Sequence, residues 1–136
     1  MDTGSDKSSN REIRGAKTIL VIEDEELNLK LVTFMLTGDG FRVISAASAE
    51  AGLELLRRER PDVILMDIRL GGMDGIEATR RVKADPVLAS IPVVGVSAYA
   101  MGEDLERALQ AGCSGYLIKP FRKRELLETV RKFAGT

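Results

Sequence analysis

The feature that most constrains the fold is an alternation, repeated five times, between a short aliphatic run and a segment with a helical pattern of apolar residues. The aliphatic runs are TILVIED (18–24), FRVISAA (41–47), DVILMD (62–67), IPVVGVSA (91–98) and GYLIK (115–119). Runs that are apolar throughout predict strands whose two faces are both buried. The sequence therefore predicts an α/β fold, in which five parallel strands form one sheet and helices cover both of its faces.

The segments between these runs carry helix signals. They span 25–40, 48–60, 74–85, 102–112 and 122–134. Ser48 is a typical residue to cap a helix, whereas Gly38, Gly112 and the Asp85-Pro86 pair are typical of helix ends. Each predicted strand is thus followed by one predicted helix.

Length and composition limit the function classes. The 136 residues fit one domain, and we predict a flexible tail over residues 1–16, which are polar and without periodicity, and a folded domain over 17–136. A net charge of −1 does not favour nucleic acid or an anionic membrane as a partner. Because no apolar run approaches the ~20 residues of a membrane span, we expect a cytoplasmic protein.

Two further properties of the composition restrict the chemistry. The chain has no histidine, which excludes histidine-dependent nucleophiles, zinc sites with histidine ligands and a phosphohistidine on this chain. Its one cysteine, Cys113, can form no internal disulfide, and we interpret it as a small buried structural residue. Carboxylates, hydroxyls, lysine and a hard metal ion remain.

Polar residues end four of the five predicted strands. They are Glu23 and Asp24, Asp67, Ser97 and Lys119. Each alone has an ordinary explanation, as the acidic first turn of a helix, a loop start, a strand-closing hydroxyl or a solvated lysine. Because functional groups of parallel sheets gather at the carboxyl ends of the strands, we interpret the set as one site.

The chemistry of that set is specific. Three clustered carboxylates repel one another, and a hard cation such as Mg²⁺ with oxygen ligands relieves the repulsion. Lys119 supplies further positive charge, and the Ser97 hydroxyl can donate to an anionic oxygen. A carboxylate beside Mg²⁺ and a lysine is prepared to attack a phosphoryl group.

The motifs VIEDEE (21–26), ILMDIRL (64–70) with MDG (73–75), VVGVSA (93–98) and GYLIKPF (115–121) resemble those of bacterial two-component response regulator receiver domains. The resemblance covers about residues 17–134, and if the chain is a whole gene product we expect it to be a receiver of the stand-alone type. It implies the flavodoxin-like (βα)5 fold with strand order 2-1-3-4-5. It also implies a phosphoacceptor signalling protein that catalyses only its own phosphorylation and dephosphorylation.

The resemblance also implies roles for individual residues. Asp67 is implied to be the phosphoacceptor. Mg²⁺ is implied to be held by Asp24, Glu23 and Asp67, together with the backbone carbonyl of Arg69. Ser97 and Lys119 are implied to contact the phosphoryl group.

Further implied features lie around these residues. The peptide bond between Lys119 and Pro120 is implied to be cis, and Tyr116 is implied to be a switch aromatic that turns inward on activation. Arg69 and Tyr99 stand at positions that tune hydrolysis of the acyl phosphate, and we expect their bulk to slow it.

One departure from the family pattern is the pair Gly71-Gly72, which stands where the family usually has a proline. Because glycine lacks the fixed φ of proline, we predict a more flexible loop with looser geometry. We expect phosphorylation to survive this change.

The expected phosphodonor is a histidine kinase or a histidine phosphotransfer protein that docks beside the first helix, near Leu27 and Leu31. A downstream protein target is expected on the face of the fourth helix, fifth strand and fifth helix, which carries the basic cluster 122–124. We expect a monomer, or a weak homodimer through the last helix face.

Two other classes remain open. One is a Mg²⁺-dependent phosphohydrolase with an aspartyl nucleophile, although Arg69 stands where such enzymes usually have a second aspartate. The other is a binding module that works without phosphorylation, against which the intact acidic set argues.

Overall fold

The computed structural model describes residues 15–98 and 103–136, except for the side chain of Glu103. Strands and helices alternate in the order β1 Thr18–Ile22, α1 Glu26–Gly38, β2 Arg42–Ala46, α2 Ala49–Leu55, β3 Val63–Asp67, α3 Gly75–Ala84, β4 Val93–Ser97, α4 Glu103–Ala111, β5 Gly115–Ile118 and α5 Lys123–Ala134. The predicted α/β class is confirmed. Residues 1–14 of the predicted tail and Tyr99 lie outside the described residues.

The strands form one sheet in the order β2-β1-β3-β4-β5, and every neighbouring pair is parallel. This is the order that the family resemblance implied. In the register, Met66 of β3 lies beside Gly95 of β4, which in turn lies beside Tyr116 of β5. The carboxyl ends of β1, β3, β4 and β5 therefore meet at one edge of the sheet.

Strand alternation divides the core into two parts. Ile19 and Val21 of β1 pack with α1 and α5, whereas Leu20 and Ile22 pack with α2, α3 and α4. Because successive side chains of a strand point to opposite faces, the same division continues in β3 and β4. Position in the alternation therefore decides which helices a strand-end side chain meets.

Local signals place three of the helix ends in the described residues. The Ser48 hydroxyl accepts a hydrogen bond from Ala51 N at 3.0 Å, which confirms the predicted cap of α2. The carboxylate of Asp74 caps α3 in the same way by accepting from Glu77 N at 2.9 Å. Gly135, with a φ of 80°, closes α5 in the left-handed conformation.

Helix α2 is shorter than predicted, since it ends at Leu55 and not at the end of the 48–60 segment. Leu56 is its last buried apolar residue, and the residues that follow form turns that lead to Pro61. Without an apolar face to bury, the remaining segment gains little from continuing the helix. Within the described ranges, no helix is long and apolar enough to span a bilayer.

Candidate functional site

The structure brings four of the predicted residues together at the carboxyl edge of the sheet. They are Glu23, Asp24, Asp67 and Lys119, hereafter the ion cluster. Glu23, Asp67 and Lys119 continue the alternation of β1, β3 and β5 toward the face covered by α1 and α5. The sheet therefore delivers these three side chains to the same side.

Direct contacts join the members of the ion cluster. Lys119 Nζ lies 3.1 Å from Glu23 Oε1 and 3.5 Å from Asp67 Oδ2. Both carboxylates are only 6% exposed. Backbone donors hold them as well, because Arg69 N donates to Asp67 Oδ1 at 3.0 Å and Glu25 N donates to Glu23 Oε2 at 3.0 Å.

Burial and charge shift the pKa values in the ion cluster. Burial raises the pKa of Glu23, and the nearby charge of Asp67 adds to this, while the bonds from Glu25 N and Lys119 only partly oppose it. For Lys119, burial lowers the pKa, but the hydrogen bond to Glu23 and the charges of Asp67 and Glu23 outweigh burial and raise it. Lys119 therefore stays protonated at neutral pH.

The donor atoms of the ion cluster suit a hard divalent cation. One carboxylate oxygen from each of Glu23, Asp24 and Asp67 lies within 4.8 Å of the others. They border an open cleft of about 320 Å³, which Asn28 and Ala98 also line. Carboxylate oxygens with access to water form the ligand set that Mg²⁺ prefers. The residues present thus fit the predicted metal.

Ser97 belongs to a different group of side chains. The alternation of β4 turns Ser97 toward α4, where its hydroxyl lies 3.5 Å from Asp104 Oδ2. It also forms a hydrogen bond with Tyr116, whose ring packs against the core on the same face. Arg69 Nε completes the group by donating to Asp104 Oδ2 at 2.8 Å. Arg69, Ser97, Asp104 and Tyr116 are hereafter the hydroxyl cluster.

Burial and charge also distinguish the hydroxyl cluster. Ser97 is 1% exposed and Asp104 is 6% exposed. Burial raises the pKa of the Tyr116 phenol, and its hydrogen bond with Ser97 opposes that rise. The structure thus places Ser97 beside a buried acid and not directly in the contacts of the ion cluster.

Asp104 is the residue that the sequence analysis missed. It is the second residue of α4, and nothing in its immediate sequence distinguishes it from an exposed helix-start acid. A usable signal was its spacing, because Asp104, Ala108 and Ala111 lie on one helix face and all three are buried.

The glycine loop after β3 is attached to the loop between β1 and α1 and to helix α2. Gly72 has a φ of 72°, a left-handed conformation that favours glycine. Gly71 N donates to Asp24 Oδ2 at 3.4 Å, and Met73 N donates to Glu50 Oε2 at 3.2 Å. Two hydrogen bonds therefore hold the loop, and the prediction of looser loop geometry did not take them into account. The peptide bond between Lys119 and Pro120 is cis, as implied.

An apolar surface on α1 lies next to the ion cluster. Leu27, Leu31 and Phe34 are 71%, 53% and 75% exposed, and they repeat at helical spacing. This α1 patch borders a cavity of about 360 Å³ that extends from Leu31 and Met35 to Asp67 and Lys119. Exposed apolar groups of this kind mark interaction surfaces.

Cys113 is buried, as expected from its sequence position. Its Sγ lies 3.9 Å from the Thr79 hydroxyl. Burial raises the pKa of the thiol, which keeps it protonated and unreactive at neutral pH.

Comparisons with known proteins agree with this geometry. The family model for the response regulator receiver domain matches residues 19–131. The polar-differentiation response regulator DivK of Brucella anthropi is 40% identical over 119 residues, which are 88% of this chain and 97% of that protein.

Two solved structures share the fold. One is the receiver domain of a sensor histidine kinase from Pseudomonas aeruginosa PAO1, with a magnesium ion coordinated in its active site cleft. It has a TM-score of 0.84 and 35% identity, covering 90% of this chain and 100% of that one. The other is a CheY-like receiver domain protein from Methanospirillum hungatei JF-1, with a TM-score of 0.83 and 29% identity, covering 89% of this chain and 95% of that one.

The family model covers most of the chain, and the relatives match over nearly their whole lengths. The chain therefore belongs to the response regulator receiver domains, the phosphoacceptor modules of two-component signalling.

Proposed function

We propose that this receiver accepts a phosphoryl group on Asp67, in a Mg²⁺-dependent transfer from a histidine kinase or a histidine phosphotransfer protein. The observation that carries the proposal is the ion cluster. A buried carboxylate at a strand end lies against the ammonium of Lys119 and within reach of two further carboxylates. Such a carboxylate is an activated nucleophile for a phosphoryl group.

In the proposed transfer, a carboxylate oxygen of Asp67 forms a bond to phosphorus as the bond between phosphorus and the donor histidine nitrogen breaks. Lys119 neutralises charge on the transferred oxygens, and Arg69 N fixes the carboxylate by its hydrogen bond to Oδ1. Glu23, Asp24, Asp67 and the Arg69 carbonyl would hold Mg²⁺, which when bound supplies further charge neutralisation at the phosphoryl oxygens.

The proposed signal is a population shift. The Ser97 hydroxyl donates to a phosphoryl oxygen only in the active arrangement, and Tyr116, which is bonded to Ser97, moves with it. Arg69 and Tyr99 shield the acyl phosphate from water. A downstream protein binds the face formed by α4, β5 and α5, and the chain works in the cytoplasm with no reaction beyond its own phosphorylation and dephosphorylation.

The α1 patch supports a docking place for the phosphodonor. Leu27 and Leu31, near which the donor is expected to dock, are exposed, and Phe34 extends the apolar surface by one helical turn. A donor helix seated there would bury apolar area directly beside the opening to Asp67. A phosphohydrolase finds less support, because Arg69 pairs with Asp104 and a guanidinium cannot act as a general acid at neutral pH.

Labelling with acetyl phosphate and Mg²⁺ tests the proposal. Asp67→Asn removes the nucleophilic oxygen pair and should abolish labelling. Asp39→Asn is the matched control, because Asp39 pairs with Arg131 beyond the C-terminal end of α1, outside the ion cluster, and this variant should label like the wild type. Labelling of Asp67→Asn at the wild-type rate would overturn the assignment.

A further inference from the structure

The hydroxyl cluster carries a feature that phosphoryl transfer itself does not use. Ser97 has one hydroxyl proton, and in this structure Ser97 Oγ donates it to Asp104 Oδ2 over 3.5 Å. The same proton is the one that the proposed function requires for a phosphoryl oxygen. Two anionic acceptors, Asp104 and the phosphoryl group, therefore compete for a single donor.

Arg69 connects the two acceptors. Its backbone N–H donates to Asp67 Oδ1 at 3.0 Å, and its side-chain Nε donates to Asp104 Oδ2 at 2.8 Å. Asp104 is 6% exposed, so water screens this ion pair little on the carboxylate side. The acceptor Asp67 and the start of α4 are thus joined through one residue.

We propose that Asp104 is a positioning residue that holds the Ser97 hydroxyl in the unphosphorylated arrangement and so sets the fraction of molecules in the active arrangement. The inference deepens the proposed function and rests on it. Because Ser97 must leave Asp104 before it can bond a phosphoryl oxygen, the bond to Asp104 opposes activation. Asp104 acts through Ser97 and needs no contact with the phosphoryl group.

Charge explains how the bond is released. A phosphoryl group on Asp67 would bring about −1.5 to −2 charges near Arg69 and Ser97. The two groups that now donate to Asp104, Arg69 Nε and the Ser97 hydroxyl, can then be drawn toward the phosphoryl oxygens. Since Asp104 is the second residue of α4, loss of its two donors changes the first turn of that helix.

Binding of beryllofluoride with Mg²⁺, a phosphoryl mimic, tests this inference by isothermal titration calorimetry. Asp104→Asn keeps the shape of the side chain but offers only a neutral acceptor, which holds a hydroxyl less strongly. We expect this variant to bind beryllofluoride about tenfold more tightly than the wild type, which is ~1.4 kcal/mol.

Two backgrounds separate the proposed role from a purely structural one. In Ser97→Thr, which keeps a hydroxyl, Asp104→Asn should again tighten binding about tenfold. In Ser97→Ala, which has no hydroxyl to release, Asp104→Asn should change the affinity less than twofold. An equal effect in both backgrounds, or no tightening in the wild-type background, would overturn the inference.

A measurement on the unmodified chain covers the case in which Asp104→Asn does not fold. The carboxyl ¹³C resonance of Asp104 should move when beryllofluoride and Mg²⁺ are added, and should move less in Ser97→Ala. A resonance that stays in place while beryllofluoride binds would overturn the role of Asp104. Failure of the wild type to bind beryllofluoride would instead overturn the proposed function itself.

Discussion

The ion cluster and the hydroxyl cluster lie at the same edge of the sheet, but they face opposite sides of it. Each contains a carboxylate that is 6% exposed and contacts a cationic side chain, Asp67 with Lys119 and Asp104 with Arg69. The ion cluster has three carboxylates, one ammonium and an open cleft. The hydroxyl cluster has one carboxylate, Asp104, which is buried and already accepts hydrogen bonds from Arg69 and Ser97.

This difference suggests a division of work. An acidic group that is short of positive charge and open to water is prepared to take up a cation and a phosphoryl group. A buried group with its hydrogen bonds made is prepared to change only when a stronger acceptor arrives.

The largest effect is expected in the ion cluster. Lys119→Met removes the ammonium that contacts Glu23 and Asp67, so the initial rate of labelling by acetyl phosphate with Mg²⁺ should fall about 10²- to 10³-fold. Lys132→Met on α5, whose ammonium lies over the Phe133 ring, is the control and should leave the rate unchanged. A Lys119→Met rate within twofold of the wild type would contradict a role of this ammonium in phosphoryl transfer.

The next largest effect is expected at the α1 patch, on the face of the sheet that α1 and α5 cover. Phe34→Ser removes an exposed aromatic from the α1 patch and should slow transfer from a phosphorylated histidine phosphotransfer protein about tenfold, which is ~1.4 kcal/mol. Labelling by acetyl phosphate should not change, because the ion cluster is intact.

Leu109→Ser, at a 50% exposed leucine on α4, is the matched control on the opposite face. It should leave transfer from the same donor unchanged. If Leu109→Ser slowed transfer and Phe34→Ser did not, the donor would dock on the side of the hydroxyl cluster.

A smaller effect is expected in the loop that contacts Asp24. Gly72→Ala places a side chain at a φ of 72° and should lower the free energy of unfolding by about 1 kcal/mol, measured by urea denaturation. Gly71→Ala is the control, because a Cβ there meets nothing within 4 Å and the residue is exposed. Equal stabilities of the two variants would contradict the strained backbone position.

The smallest effect is in the hydroxyl cluster. Burial raises the pKa of Tyr116, so its phenol should titrate above the ordinary value of 10.0, as followed by near-ultraviolet absorbance. The unfolded chain then loses the phenol proton at a lower pH than the folded chain does. The free energy of unfolding should therefore fall as the pH rises above 10.0. Ser97→Ala should raise this pKa further, because the hydrogen bond between Ser97 and Tyr116 opposes the rise.

Tyr116→Phe identifies the transition, since Tyr99 is then the remaining tyrosine. A phenol at position 116 that titrates at or below pH 10.0 would show that Tyr116 is not held in the buried hydroxyl cluster.

The ion cluster could be predicted from the sequence because each of its members directly follows or ends an aliphatic run, and a parallel sheet brings such ends together. The direction of Ser97 could not be predicted in this way. It depends on the phase of the β4 alternation, which turns Ser97 toward α4 while Asp67 faces α1 and α5.

The burial of Asp104 could not be predicted for a related reason. A charged residue in the first turn of a helix is normally exposed, and its burial depends on the packing of α4 beside Ser97 and Arg69. The end of α2 was missed because the predicted helix continues after Leu56 in charged residues, which bury no apolar face. Tertiary contacts decided both outcomes.

The chemical location of the phosphoryl group tests the assignment of Asp67 as the phosphoacceptor. The wild-type chain is labelled with acetyl phosphate and Mg²⁺, reduced with borohydride, which converts an aspartyl phosphate to homoserine, and digested for mass spectrometry. We predict homoserine at position 67, with Asp24 and Asp104 unchanged. Homoserine at another aspartate, with Asp67 intact, would contradict the assignment of the ion cluster as the phosphoacceptor site.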